Sequence, residues 1–514
     1  MLAFAIFFVS LQLRIYVILI IYMADRQKIV HPEWALACKR KGTELRYLNG
    51  TYYLYEVTSK WNPDKKRSVK ITGKLLGKIT QAEGFVESDK ARLRKQQTRF
   101  EGIQVKEYGI TAIIESVFAD TVSTLKKFFP SCWQRLIILA YGRLVHQSPL
   151  KNMSFHYSNS YLSQQYPLQD VSSRSLSYFL RTLGEDRNTI VEFCRSFKVS
   201  GDCILFDGTD IFSDSRQMDF PQFSKSKFGT YDDMINLMCV FSVQQQSPVY
   251  YRLLPGNIKD VSAFKLCLRE SGVQDATVII DKGFASMSNI EALEKEGLKF
   301  IIPLPRNSSL IDYQKANSGD KRHFDGYFQY EGRYIWYYTI NVDEKKRVAV
   351  YLDEELRNRE EKDYLNRIES KAENYSMEKF YEKRHAFGTI SMIENTDKPP
   401  RETYARYKMR GQVETMIDTL KNIVDADKTY MQNQTALEGW MFINLIALKW
   451  YYQILNMLKT YELNKKYSPS DFLLFLSEIK MVKINNIWQQ AEVTRKTVEM
   501  LEKLKIKLTA TNAS

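Results

Sequence analysis

The chain has 514 residues, enough for two to four domains and a large buried core. It is 44% hydrophobic and 26% charged, a globular balance that excludes a disordered or low-complexity chain. Lysine and arginine number 74 against 60 acidic residues, and the net charge of +14 points to a polyanionic partner.

Residues 1–22, MLAFAIFFVSLQLRIYVILIIY, are apolar apart from a few polar positions that include Gln12 and Arg14. A central arginine costs a membrane span about 2.5–3.5 kcal/mol, and the segment lacks a basic start and an A-x-A-like cleavage site. It reads as a leader upstream of a true start at Met23, with a membrane anchor as the alternative. The six cysteines (Cys38, Cys132, Cys194, Cys203, Cys239 and Cys267) form no C-x2-C pair. That spacing argues against a zinc ribbon or a disulfide framework and fits a reducing cytoplasm. The five histidines form no H-E-x-x-H motif.

Residues 23–100 read as a basic β-rich region. GTYYLYEVTSKW predicts a strand, NPDKKR a turn and SVKITGKLLGKI a second strand. Tyr52, Tyr53, Tyr55 and Trp61 lie beside Lys60, Lys65, Lys66 and Arg67, and aromatics among cations can hold a nucleic-acid backbone. A small sheet with a solvated basic hairpin is the alternative. Residues 101–200 carry helical periodicity. Ser172 or Ser173 is expected to cap SRSLSYFLRTLG and Gly184 to end it. The two short helices there resemble a helix-turn-helix, although such pairs commonly serve packing alone.

Residues 201–306 contain short apolar runs (DCILFDGTD, INLMCVFSV, VYYRLLPGN, ATVIIDKGF and LKFIIPLPR), with helices expected at Ser262–Glu270 and after Ser286. This predicts a mixed α/β sheet. Pro255-Gly256-Asn257 reads as a turn between strands. Residues 307–395, beginning with strands such as YFQYEGRYIWYYTINV, read as an insertion into that sheet. Residues 396–460 return to the core and contain a long buried helix at Leu437–Leu458, which Trp440, Asn444 and Lys449 make a poor membrane span. Residues 461–514 read as helical and basic.

Within 396–460 stands Y-x2-R-x3-E-x6-K: Tyr407, Arg410, Glu414 and Lys421. On one helix the last three fall within about 40° of each other. Met409, Val413, Met416, Ile417 and Leu420 form a separate apolar stripe. Arg410 and Glu414 alone could be a surface ion pair. Two more carboxylates lie upstream. Asp207 follows CILF and Asp281 follows TVII, each at the end of an expected strand, where α/β sheets place their sites. A turn cap is the alternative for either residue, and Asp210 and Asp214 are nearby candidates. Three gathered carboxylates repel each other unless a cation neutralises them. Hard oxygen ligands suit Mg2+, with Mn2+ as a substitute. Two such ions would promote in-line displacement at phosphorus, while Arg410 and Lys421 hold the flanking phosphates.

These motifs (Asp207-Gly208-Thr209, Pro255-Gly256-Asn257-x2-Asp260, Asp281-x-Gly283-Phe284 and the Tyr407/Arg410/Glu414/Lys421 set) resemble the bacterial DDE transposases of the family-4 insertion sequences. The G-T-Y-Y-x-Y start and the Glu438–Phe442 segment, E-G-W-M-F, resemble one of its subgroups. The resemblance implies a ribonuclease-H-like catalytic core, a mixed sheet with flanking helices, interrupted by a β-rich insertion. An N-terminal DNA-binding region would precede it. It maps the catalytic and metal-binding triad onto Asp207, Asp281 and Glu414, and DNA contacts onto Tyr407, Arg410 and Lys421. It further implies cut-and-paste chemistry on double-stranded DNA, at the element's terminal inverted repeats and the target. The working form would be at least a homodimer, in the cytoplasm and on the nucleoid, with no small-molecule substrate. Trp336, in RYIWYY, is a candidate counterpart of an aromatic that holds a flipped base; packing within the sheet is the alternative.

Overall fold

A computed structural model of the chain describes residues 30–63, 65–92, 103–225, 231–258 and 260–508. The apolar leader at 1–22 and the expected start at Met23 lie outside the described residues. The chain divides into two compact units, residues 1–103 with 484–486 and residues 104–483 with 487–514.

The first unit is a four-stranded antiparallel sheet in the order β1-β2-β3-β4: Thr43–Leu48, Thr51–Asn62, Arg67–Thr80 and Gly84–Glu87. Both expected strands form, and the basic run NPDKKR joins β2 to β3. Alternation along β2 buries Tyr52 and Leu54 against Leu45, Ile79 and Ala35. Trp34 meets the Tyr52 ring edge-on at 5.3 Å. Trp61, at the far end of β2, is exposed.

In the second unit, β5 (Gln104–Glu107) leads into helices α1 (Gly109–Val117), α2 (Ala119–Phe128), α3 (Trp133–His146), α4 (Ser173–Glu185) and α5 (Arg187–Arg195). Ser172 caps α4 by accepting from Ser175 N at 3.3 Å. Gly184 lies inside α4 and does not end it. A Cβ there would stand 1.8 Å from Thr435 O, so this glycine permits a close helix crossing.

The sheet begins with β6 (Cys203–Ser213), β7 (Gln222–Lys225), β8 (Tyr231–Ser242) and β9 (Ser247–Pro255). Helix α6 (Asp260–Ser271) leads to β10 (Thr277–Ile279), and α7 (Met287–Lys295) leads to β11 (Lys299–Pro303). Across the kernel the order is β9-β8-β6-β10-β11, with β6, β8 and β9 antiparallel and β10 and β11 parallel to β6. An antiparallel meander followed by two parallel crossover strands is the ribonuclease-H-like arrangement. Pro255-Gly256-Asn257 joins a strand to a helix, not strand to strand. Gly256 packs where a Cβ would stand 2.1 Å from Met234 O.

The insertion supplies β12 (Gly326–Tyr330), β13 (Arg333–Asn341), β14 (Arg347–Asp353), α8 (Glu354–Glu369), α9 (Met377–Arg384) and β15 (Thr389–Glu394). Its strands extend the same sheet, since β15 pairs with β11 and the order continues β14-β13-β12. Then follow α10 (Pro400–Lys408), α11 (Gly411–Asn422), β16 (Lys428–Thr429) and α12 (Gln434–Thr460). Along α12 the polar Asn444 and Lys449 are buried with partners. Asn444 Oδ1 accepts from Arg143 Nε at 2.9 Å, and Lys449 donates to Pro248 O at 3.1 Å.

After α13 (Pro469–Ser477) the tail is not wholly helical. Strands β17 (Lys480–Ile484) and β18 (Ile487–Gln490) flank Asn485 and Asn486 before α14 (Arg495–Lys503). Both asparagines have positive φ, 51° and 68°, as a two-residue hairpin turn requires. Among the described residues no helix is long and apolar enough to cross a membrane.

Candidate active site

Asp207 stands in the middle of β6, not at a strand end. The polar run Asp207-Gly208-Thr209-Asp210 reads as a turn in sequence. It stays extended because β8 pairs with it throughout, Asp207 opposite Cys239 and Asp210 opposite Asn236. Asp281 does follow its strand. β10 runs parallel to β6 with Ile279 opposite Leu205. Carried two residues further, that register sets Asp281 level with Asp207, with side chains on one face because the pleat has period two.

The helix expected across Tyr407–Lys421 is two helices. At the join, Arg410 N donates to Tyr407 O at 2.9 Å and Met409 N to Arg406 O at 3.1 Å. These i→i−3 bonds tighten the backbone, and Gly411, a poor helix residue, follows at once. The phase of one continuous helix therefore does not cross the join. Arg410 becomes the N-cap of α11, Glu414 falls in its first turn and Lys421 in its last. A carboxylate at the start and a cation at the end both suit the helix dipole. Val413, Met416, Ile417 and Leu420 bury the opposite side of α11.

Arg410 is the centre of the arrangement. Its Nη1 lies 3.3 Å from Asp281 Oδ1 and its Nη2 2.8 Å from Glu414 Oε1. Its side chain is 21% exposed, that of Glu414 51%. Burial works against the guanidinium charge, but Asp281, the Tyr407 phenol, Glu414 and Asp207 outweigh it and raise the pKa above the ordinary arginine value. Burial likewise raises the Tyr407 phenol, while the neighbouring Arg410 pulls the other way. Asp207, Asp281, Glu414 and Tyr407 thus share one electrostatic neighbourhood. Asp207 Oδ1 also accepts from Gly208 N at 2.8 Å.

Among the described residues no three His, Cys, Asp or Glu side chains are grouped closely enough to hold a metal ion. The acids here are spread around a cation that bridges two of them. Their donor chemistry, carboxylate oxygen throughout, is that of a hard divalent ion.

Trp336 lies on β13 opposite Tyr327 and Leu352. Its ring packs on Tyr327 at 5.0 Å and Phe324 at 5.8 Å, with Lys321 Nζ 5.4 Å from its centroid. No motif in the sequence marks Lys428–Tyr430. The two-residue β16 pairs with the far end of β6, Lys428 opposite Phe212, and is too short to leave a periodic trace.

Residues 200–450 match the family described as Transposase DDE domain. The matched segment carries the ribonuclease-H-like sheet described above. Among solved structures, the piggyBac transposase synaptic complex with hairpin DNA is 12% identical, with a TM-score of 0.41 over 72% of this chain and 80% of that one. The Mos1 transposase paired-end complex with left transposon end is 13% identical, with a TM-score of 0.14 over 30% of this chain and 53% of that one. Both likenesses are distant. No curated protein matches the chain.

Proposed function

We propose that the protein is the DNA transposase of an insertion sequence of the family-4, Y-R-E-K type. It hydrolyses phosphodiester bonds at the ends of its element and joins the freed 3′-OH to target DNA by transesterification. The observation that carries this reading is Arg410 bridging Asp281 and Glu414, with Asp207 in register beside Asp281, inside a segment that matches the family of transposase DDE domains.

Asp207, Asp281 and Glu414 are the residues that would hold divalent metal, two Mg2+ ions with Mn2+ able to substitute. Bound there, such ions supply Lewis acidity and a water of lowered pKa. The chain's own part is positioning. Glu414 projects from the half-exposed first turn of α11 on the side that faces Arg410, and with Asp207 and Asp281 it would supply the carboxylate ligands. Arg410 would clamp a phosphate beside the scissile bond, with Lys421 holding another and Tyr407 contacting the backbone. Trp336 is the proposed holder of a flipped base.

The partners are the element's terminal inverted repeats and target duplex DNA, with no small-molecule substrate. Joining two ends requires at least a homodimer, working at the nucleoid. Residues 23–100 and 101–200 are the proposed DNA-binding regions, 201–306 and 396–460 the two parts of the core, 307–395 the insertion and 461–514 a C-terminal region.

The test uses the purified full chain, Mg2+ and DNA carrying the inverted repeats that flank its own gene. Cleavage at the repeat ends with a free 3′-OH, followed by joining to a second DNA, is the expected result. Sequence-specific binding without metal-dependent cleavage would instead identify an inactive DNA-binding derivative of a transposase.

A further inference from the structure

We propose that a second site, a basic cleft beside the end of β6, binds an unpaired stretch of a single DNA strand. The cleft lies between α3, the start of the Leu150–Asn152 turn, α4 and the segment joining α11 to α12, and its volume is about 700 Å³. A hollow of this size encloses roughly one or two nucleotides and excludes a duplex.

Its lining has the chemistry for that guest. Lys151, Arg181 and Lys428 line it and are exposed, while Asp425 is the acidic residue among the lining. Tyr430 also lines it and is 71% exposed, a flat aromatic surface among cations. Such pairing of a stacking ring with phosphate-binding cations is how proteins hold single strands. Arg143 forms part of the wall but is committed elsewhere. It donates to Asn444 Oδ1, to Ser148 O at 3.0 Å, to Val424 O and to Asp425 O at 2.9 Å, and its guanidinium lies 4.6 Å from the Trp440 ring centroid. It ties α3 to the α11–α12 segment and fixes the shape of the cleft. The cleft is placed to matter: β16, which contributes Lys428, pairs with β6, the strand that carries Asp207.

The proposal rests on reading the chain as a DNA-processing protein, but its test is made without metal and without cleavage, so the two can fail separately. Full-length protein in EDTA is titrated into a labelled oligo(dT) strand of about 12 nucleotides, a length within the span of known single-strand sites. The triple variant Lys151→Glu/Arg181→Glu/Lys428→Glu is expected to weaken binding at least about tenfold and to lower the salt slope by about 2. Tyr430→Ala is expected to weaken it about tenfold, with duplex affinity changed less than about twofold. Single alanine variants at the exposed Lys151 and Arg181 cover the case in which the triple variant misfolds. Binding of the strand as in wild type by the folded variants overturns the proposal. Equal loss on strand and duplex overturns it as well, and tighter binding of oligo(U) than oligo(dT) overturns its assignment to DNA.

Discussion

Arg410 Nη1 lies 3.3 Å from Asp281 Oδ1, and the other arm of the same guanidinium meets Glu414 Oε1 at 2.8 Å. A cation of the protein therefore stands between two acids that the proposed chemistry assigns to metal. Two positive charges cannot share that space without repulsion. Arg410→Ala should tighten binding of Mg2+ or Mn2+ in the absence of DNA by about tenfold, roughly 1.4 kcal/mol. The same variant should weaken binding of DNA ends, because a phosphate clamp is lost. Calorimetric titration with metal and a binding assay with DNA read the two effects separately. Unchanged metal affinity would count against a shared position.

The crossing of α4 with α12 depends on two glycines. A Cβ on Gly184 would meet Thr435 O at 1.8 Å, and one on Gly439 would meet Leu180 O at 2.3 Å. Both contacts are with backbone, which cannot swing aside. Gly184→Ala should destabilise the chain by about 2–3 kcal/mol or more, the range of overpacked cores. Denaturant melting of the full chain measures this. A midpoint equal to wild type would show that the helices do not cross so closely.

Lys449 gives stability a dependence on alkaline pH. Burial holds its ammonium down at about 8, against the opposing pull of Cys194 and Asp120. The ordinary lysine value, about 10.4, applies to the unfolded chain. Between these two values the unfolded chain binds more protons than the folded one, so stability rises with pH. The gain is complete above the unfolded value and is lost as pH falls through about 8. Lys449→Met lacks the titrating group. The stability of wild type relative to this variant should rise by up to about 3 kcal/mol from neutral pH to pH ~10.5. A difference that stays flat across that window would contradict the assignment.

What the sequence made legible follows from the range of the forces involved. The strands at CILFDGTD and TVIIDKGF were readable because buried strands need continuous apolar runs, and Asp281 follows its strand as expected. In sequence Asp207 reads as ending its strand, because local polarity mimics a turn. Only long-range pairing, with β8 as far as Phe212 and with β16 at Ser213, shows that the strand continues. The break at Met409–Arg410 was hidden for a related reason. A side-chain pattern reports helical phase but does not report where i→i−3 bonds replace i→i−4 bonds. Gly184 satisfied a local rule for helix ends, while its real constraint is a neighbouring helix distant in sequence. Composition sets residues 307–395 apart, yet nothing local shows that β15 would pair with β11 and extend the same sheet. The Asn485-Asn486 hairpin carried a turn signal that the helical propensity of its surroundings concealed.

The central claim is that Asp207, Asp281 and Glu414 act as one catalytic unit. Asp207→Asn, Asp281→Asn and Glu414→Gln change charge with little change of volume, and the side chains are not deeply buried, so stability should move by less than about 0.5 kcal/mol. The direct measurement is the cleavage rate of each variant on DNA carrying the element's own repeat ends, in saturating Mg2+, with binding to that DNA measured in parallel. Each single substitution should lower cleavage at least about a thousandfold while binding is retained. The Asp207→Asn/Asp281→Asn pair should be no worse than either single change, as expected of residues that act together. Cleavage at the wild-type rate by any one of the three variants would contradict the claim.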